Sequence, residues 1–143
     1  MAGPQATLRA DAPAVEAAAL LSRLETSAAL VVDDVDAFVD VVSDEDLLRR
    51  LLPAYLGEAD ALARVLDERS AEEFWRRLEG TTVRDLLPQE REEEPVVEGD
   101  ATLVEVASVM TRAGVRLVAV VQDGRLAGGI SIDHLLTHLI PRA

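Results

Sequence analysis

Cysteine is absent from this chain of 143 residues. There is therefore no disulfide framework and no thiolate metal site, which fits a reducing cytoplasm. Lysine and asparagine are missing as well, so all 14 basic residues are arginines. Both missing residues use AT-rich codons, and a high-GC bacterial source is expected. Aromatic residues are few, with one Trp, one Tyr and two Phe. No apolar run approaches the roughly 18 to 20 residues that span a bilayer, and "MAGPQATLRAD" at the start lacks the basic-then-apolar order of a signal peptide. These absences lead us to expect a soluble, cytoplasmic protein. Cations are outnumbered by 27 acidic residues, giving a net charge of −13. A surface that acidic repels phosphate backbones and anionic lipid heads, which argues against nucleic acid and membranes as partners.

What is present is apolar and repeated. Hydrophobic residues make up 49% of the chain, and a chain of this length buries roughly two thirds of its unfolded surface in one compact unit. Asp11 aligns with Asp100, Val15 and Glu16 with Val104 and Glu105, Ala18 with Ala107, Arg23 with Arg112, and Val31-Val32 with Val120-Val121, at a constant offset of 89. Past the next turn the offset is 88, which pairs Ser43 with Ser131, Leu47-Leu48 with Leu135-Leu136 and Pro53 with Pro141. The single-residue change falls where length is cheapest to alter.

Each copy reads as strand, helix, strand, strand, helix. Thr102 and Glu105 have capping-box spacing ahead of a helix with apolar Leu103, Val106, Ala107 and Met110 on one face. The first copy repeats this face as Ala14, Ala17, Ala18 and Leu21, with Pro13 at the helix start. "AALVV" (28–32) and "LVAVV" (117–121) have the length and β-branching of buried strands. Asp123-Gly124 predicts a tight hairpin into "LAGGIS", while "DDVDA" predicts a looser turn in the first copy. A last helix follows Ser43 or Ser131 and ends near Pro53 or Pro141.

Between the copies, "AYLGEADALARVLDE" is helical by propensity, and "SAEEFWRRLEG" opens with a Ser70–Glu73 capping box and stops at Gly80. Trp75, Phe74 and Leu78 in that segment predict an apolar face docked on the body. The acidic run "QEREEEP" (89–95) reads as a solvated connection, because consecutive glutamates do not converge on one cation.

The stretch "TLVEVASVMTRAGVRLVAVVQDGRLAGGIS" with its Leu-Leu helix resembles a CBS domain, the module named after cystathionine beta-synthase. "TVRDLLP" (82–88) resembles the segment that leads into such domains, and the first copy lacks a counterpart of it. The tandem resembles a Bateman module, and with its helical insertion it is similar to stand-alone bacterial CBS-pair proteins. The resemblance implies an α/β (α+β) fold: two β-α-β-β-α units related by pseudo-two-fold symmetry. We divide the chain into a first repeat at 5–53, a helical inter-repeat segment at 54–80 and a second repeat at 81–143.

The resemblance also implies an adenosine-nucleotide site in the cleft between copies, carried by a Gly-x-x-Ser/Thr-x-x-Asp motif at a strand-to-helix junction. An Asp carboxylate can accept from both ribose hydroxyls, a Ser hydroxyl at a helix N-terminus suits phosphate, and strand backbone can read the adenine edge. Ser43 and Asp46 match in the first copy, where Asp40 replaces the Gly. Asp44 beside them and Ala29 and Leu30 on the preceding strand complete that candidate set. In the second copy Gly128 and Ser131 match, but His134 holds the Asp position and Asp133 precedes it. Ser-x-x-Asp is also an ordinary helix capping box, so Asp46 has two readings, helix cap and ribose ligand. At most one well-formed site, centred on Asp46, is expected.

His134 and His138 stand at i, i+4 spacing, yet two ligands are too few for a metal site. No nucleophile with a matched base, Walker-type glycine loop or paired carboxylates is present in the sequence, so no catalytic residue is expected. The resulting expectation is a regulatory module, not an enzyme, that senses AMP, ADP, ATP or S-adenosylmethionine. No cofactor is required, although Mg²⁺ can accompany the nucleotide. Output is expected through an unknown protein partner, since no catalytic or membrane domain adjoins the pair. The alternatives are a structural dimerisation module with a vestigial site, and a divalent-cation sensor. A homodimer is expected, with Leu135, Leu136, Leu139 and Ile140 of the last helix as its candidate surface.

Overall fold

The computed structural model describes residues 6–23, 27–51, 72 and 75–141. The first copy consists of β1 (Thr7–Arg9), α1 (Ala14–Arg23), β2 (Ala28–Val32), β3 (Phe38–Ser43) and α2 (Asp44–Leu51). A one-turn helix, α3 (Val83–Leu86), precedes the second. That copy consists of β4 (Val96–Glu98), α4 (Leu103–Ala113), β5 (Leu117–Gln122), β6 (Arg125–Ser131) and α5 (Ile132–Leu139). The order of elements is the one the repeat predicts.

Each copy forms a three-stranded sheet with β2 or β5 in the centre, parallel to β1 or β4 on one side and antiparallel to β3 or β6 on the other. The registers reproduce the sequence offsets residue by residue. Thr7 pairs with Leu30 and Val96 with Ala119, while Ala28 pairs with Ser43 and Leu117 with Ser131. Both antiparallel ladders carry an irregularity at the same place, between Val31 and Val32 and between Val120 and Val121. The change of offset therefore falls in the β2–β3 turn. There Asp33 Oδ1 accepts from the N–H groups of Val35 (3.0 Å) and Ala37 (2.9 Å), and Asp36 takes φ 62°. The second copy closes the same corner in a tighter turn, with positive φ at Asp123 and Gly124.

The strand β2 is buried along its whole length because its two faces serve different cores. Ala29 and Val31 pack with Ala14, Ala17 and Leu21 of α1 in the first core. Ala28 and Leu30, with Val41 of β3, meet Leu117 and Ala119 of β5 in a cluster that joins the two copies. Such a strand needs a continuous apolar run rather than alternation. The second copy has its own core of Val106, Val109, Met110 and Leu135 against Val118, Val120 and Ile130. Thr102 Oγ1 caps α4 by accepting from Glu105 N–H (3.1 Å), and Gly114 ends the helix at φ 68°.

The "TVRDLLP" segment packs on the first copy, not on the one it leads into. The N–H groups of Val83 and Arg84 donate to the carbonyls of Ala12 and Ala10 (both 2.9 Å), and Val83 and Leu86 are buried in the first core. Leu78 joins them there. The docked face expected around Trp75 is thus corrected: Leu78 is the residue that docks, and Trp75 is 49% exposed beside Arg76 and Glu79. A helix turns once every 3.6 residues, so with Leu78 inward a residue three positions back keeps only part of its surface against the body. The helix predicted over 54–68, the Ser70–Glu73 box and Phe74 lie outside the described residues. The predicted stop at Gly80 coincides with φ 81°. Among the described residues no helix is long and apolar enough to cross a membrane.

Candidate functional site

The first copy's strand-to-helix junction opens onto a cleft of about 160 Å³ between the two copies. Ala28, Val41, Ser43, Asp44, Asp46 and Arg49 line one side, and Pro88, Arg91 and the Gly114–Val115–Arg116 turn of the other copy line the rest. Ser43, Asp44 and Asp46 are therefore gathered at one wall. Ala29 faces the first core and Leu30 the inter-copy cluster, both fully buried, while Ala28 and Val41 supply the strand surface of the cleft.

Asp46 is 6% exposed at the third position of α2 and makes a reciprocal cap. Its Oδ2 accepts from Ser43 N–H (2.9 Å), and its own N–H donates to Ser43 Oγ (3.2 Å). Arg49 Nη1 donates to Oδ1 at 3.2 Å. The capping reading of Asp46 is thus realised. A carboxylate has about four acceptor positions, so the cap does not exhaust it.

The second junction is built differently. Ser131 Oγ accepts from His134 N–H at 3.2 Å, but no acid stands where Asp46 returns the bond in the first copy. Asp133 is exposed on α5, away from the junction's capping contact. The His134 ring stacks on His138, with centroids 4.6 Å apart and planes at 12°, and its Nε2 is buried without a partner. His138 Nδ1 lies 2.9 Å from the His134 carbonyl. Stacked rings do not converge on a shared ion, and among the described residues no group of three or more potential metal ligands assembles. Residues 24–26, the repeat counterparts of the 113–115 turn, lie outside the described residues.

Sequence reasoning missed Arg91. In the run expected to be a solvated connection, Glu90, Glu92 and Glu94 are exposed but Arg91 turns inward. Its Nε donates to Asp40 Oδ1 at 2.6 Å, its Nη2 to the Val41 carbonyl at 2.9 Å, and its Nη1 reaches the Ala113 carbonyl at 3.5 Å. Both partners of this ion pair are 14% exposed. Nearby, Glu93 accepts from Arg112 Nε (2.6 Å) and Nη2 (3.1 Å), and this bond holds the Glu93 carboxyl below its ordinary range. The only sequence signal was Asp40 itself, an acid where the repeat has Gly128.

Two pseudo-symmetric three-stranded sheets, each covered by helices and joined face to face by an apolar cluster, define a tandem α/β repeat with a cleft at the first strand-to-helix junction. The chain belongs to the CBS-domain family, whose profile matches residues 1–53 and 82–141. It is similar over 98% of its length to a CBS domain-containing protein of unknown function from Kribbella flavida, with 36% identity, 95% of that chain covered and a TM-score of 0.80. The CBS domain of a CBS domain-containing membrane protein from Sphaerobacter thermophilus is 25% identical, with 98% of this chain and 85% of that one covered and a TM-score of 0.70. A CBS-pair protein from Arabidopsis thaliana shares the fold at 21% identity, 96% and 89% coverage and a TM-score of 0.73. No curated protein matches the chain. CBS-pair proteins are, as a class, regulatory modules.

Proposed function

We propose that this chain is a regulatory module whose first inter-copy cleft takes an adenosine-containing nucleotide of the AMP, ADP, ATP or S-adenosylmethionine class. The observation that carries the reading is the convergence, at one cleft, of the Ser43–Asp46 junction of the first copy with Arg49 and with Arg116 of the second. In a chain of net charge −13, Arg116 and the N-terminus of α2 give an anionic group a cation and backbone N–H groups to meet beside the Asp44, Glu45 and Asp46 carboxylates of the same cleft. Asp46 retains acceptor positions for ribose hydroxyls, and Val41 on the edge strand β3 lines the same cleft, where its carbonyl would meet a purine once Arg91 is displaced from it. Magnesium would come with the nucleotide, not as a resident cofactor. A thermal-shift series with each nucleotide, with and without Mg²⁺, tests this. A nucleotide at 100 times its dissociation constant should stabilise the chain by about 2.7 kcal/mol, whereas stabilisation by Mg²⁺ alone would favour the cation-sensing alternative.

The same module is expected to act as a homodimer. Leu136 and Leu139 of α5, Ile140 just beyond it and Val104 of α4 are all exposed, with Val104 and Leu139 lining one shallow hollow, and exposed apolar side chains of this size call for a covering partner. Leu135, expected on that surface, belongs instead to the second core. Its position is one residue, about 100°, around the helix from Leu136. Sedimentation at tens of micromolar should give a dimer, and Leu136→Glu with Ile140→Glu should give a monomer. A monomeric parent would remove the dimer from the proposal.

A further inference from the structure

Arg91 does more than decorate the first cleft. It comes from the connecting segment between α3 and β4, and its guanidinium reaches three acceptors on two other parts of the chain. They are the Asp40 carboxylate and the neighbouring Val41 carbonyl of β3, and the carbonyl of Ala113 at the C-terminal end of α4 in the other copy. A helix C-terminus carries partial negative charge, so each of the three favours a cation. The Val41 carbonyl belongs to the strand surface that a bound purine would have to use, and Val41 and Arg91 line the same cleft. Asp40, where the repeat counterpart is Gly128, holds the guanidinium against that surface.

We propose that the Arg91–Asp40 pair is an internal latch that occupies the first cleft, so that a ligand gains the strand surface only when Arg91 is released. The inference rests on the nucleotide reading for what the released cleft takes up, but not for the latch itself. Release would also remove the Arg91 contact to the end of α4, leaving the Glu93–Arg112 pair to hold the connecting segment to that helix. Ligand binding at the first junction is thereby linked to the position of the second copy's helix.

The absence of cysteine makes a direct test available. Val41→Cys places the only thiol of the chain on the cleft wall at a fully buried position. Iodoacetamide should alkylate it slowly in the otherwise unchanged chain and about tenfold faster when Arg91→Ala is added, because a protected group reacts through the open fraction. Asp40→Asn should shift the rate in the same direction and stands in for Arg91→Ala should that variant not fold. In parallel, a latch closed in about nine molecules of ten reduces apparent nucleotide affinity about tenfold, so Arg91→Ala should bind AMP or ATP about tenfold more tightly. An unchanged alkylation rate in the folded variants would overturn the latch. So would weaker nucleotide binding by folded Arg91→Ala, which would make Arg91 a ligand contact. Faster alkylation with no nucleotide bound by any variant would uphold the latch and reject the nucleotide reading.

Discussion

Replacing Leu30 with alanine is expected to cost about 3 kcal/mol of unfolding free energy, within the 2 to 5 kcal/mol span of large-to-small core changes. Leu30 is fully buried in the cluster that joins the copies, together with Ala28, Val41, Leu117 and Ala119. Its repeat counterpart is Ala119, and the counterpart of Ala28 is Leu117, so the cluster sets large residues against small ones. Truncating Leu30 leaves a void at the joint between the copies that Val41 and Leu117, already packed in the cluster, fill only in part. Urea unfolding of Leu30→Ala measures the loss, with Val35→Ala as a control at an exposed turn position where about 0.5 kcal/mol or less is expected. A cost for Leu30→Ala as small as the control's would mean that the two copies do not share a packed interface.

Substitution at Asp46 should separate two roles of one carboxylate. Asp46→Ala removes the acceptor for Ser43 N–H and the partner of Arg49, and a lost cap of this kind costs about 1 to 2 kcal/mol. If the carboxylate also receives ribose hydroxyls, the same variant should lose a further ten- to a hundredfold in nucleotide affinity, or roughly 1.5 to 3 kcal/mol. Asp46→Asn divides these effects. Its amide oxygen can still cap Ser43, so stability should stay near that of the parent while affinity falls with the charge. Equal affinities for parent and both folded variants would confine Asp46 to capping. His134→Asp provides the converse, since an acid at the second junction should tighten binding there if that cleft is intact.

Much of the fold could be read from the chain because the signals were local and stated twice. The strand runs at 28–32 and 117–121, the faces Ala14-Ala17-Leu21 and Val106-Met110, and the Asp123-Gly124 turn all lie where short-range periodicity and backbone preference put them. The junction motif was equally legible, and its Ser43–Asp46 cap spans only three residues. Trp75 escaped this reading because composition shows that a helix has an apolar side but not which residue of that side meets the body.

The sequence by itself determined the two-copy plan, the order of elements along the chain and the residues at each junction, since all of these follow from patterns within about 40 residues repeated at an offset of 89 and then 88. Only the tertiary structure decided which face of β2 joins the copies and which forms the first core, and that α3 attaches to the copy before it. It alone decided that Arg91, on the wall of the cleft, reaches Asp40, a residue 51 positions away. The physical reason is the same in each case. Periodicity records whether a residue prefers burial, but a charge pair or a docked helix depends on which distant surface the folded chain brings within about 3 Å, and no local pattern carries that distance.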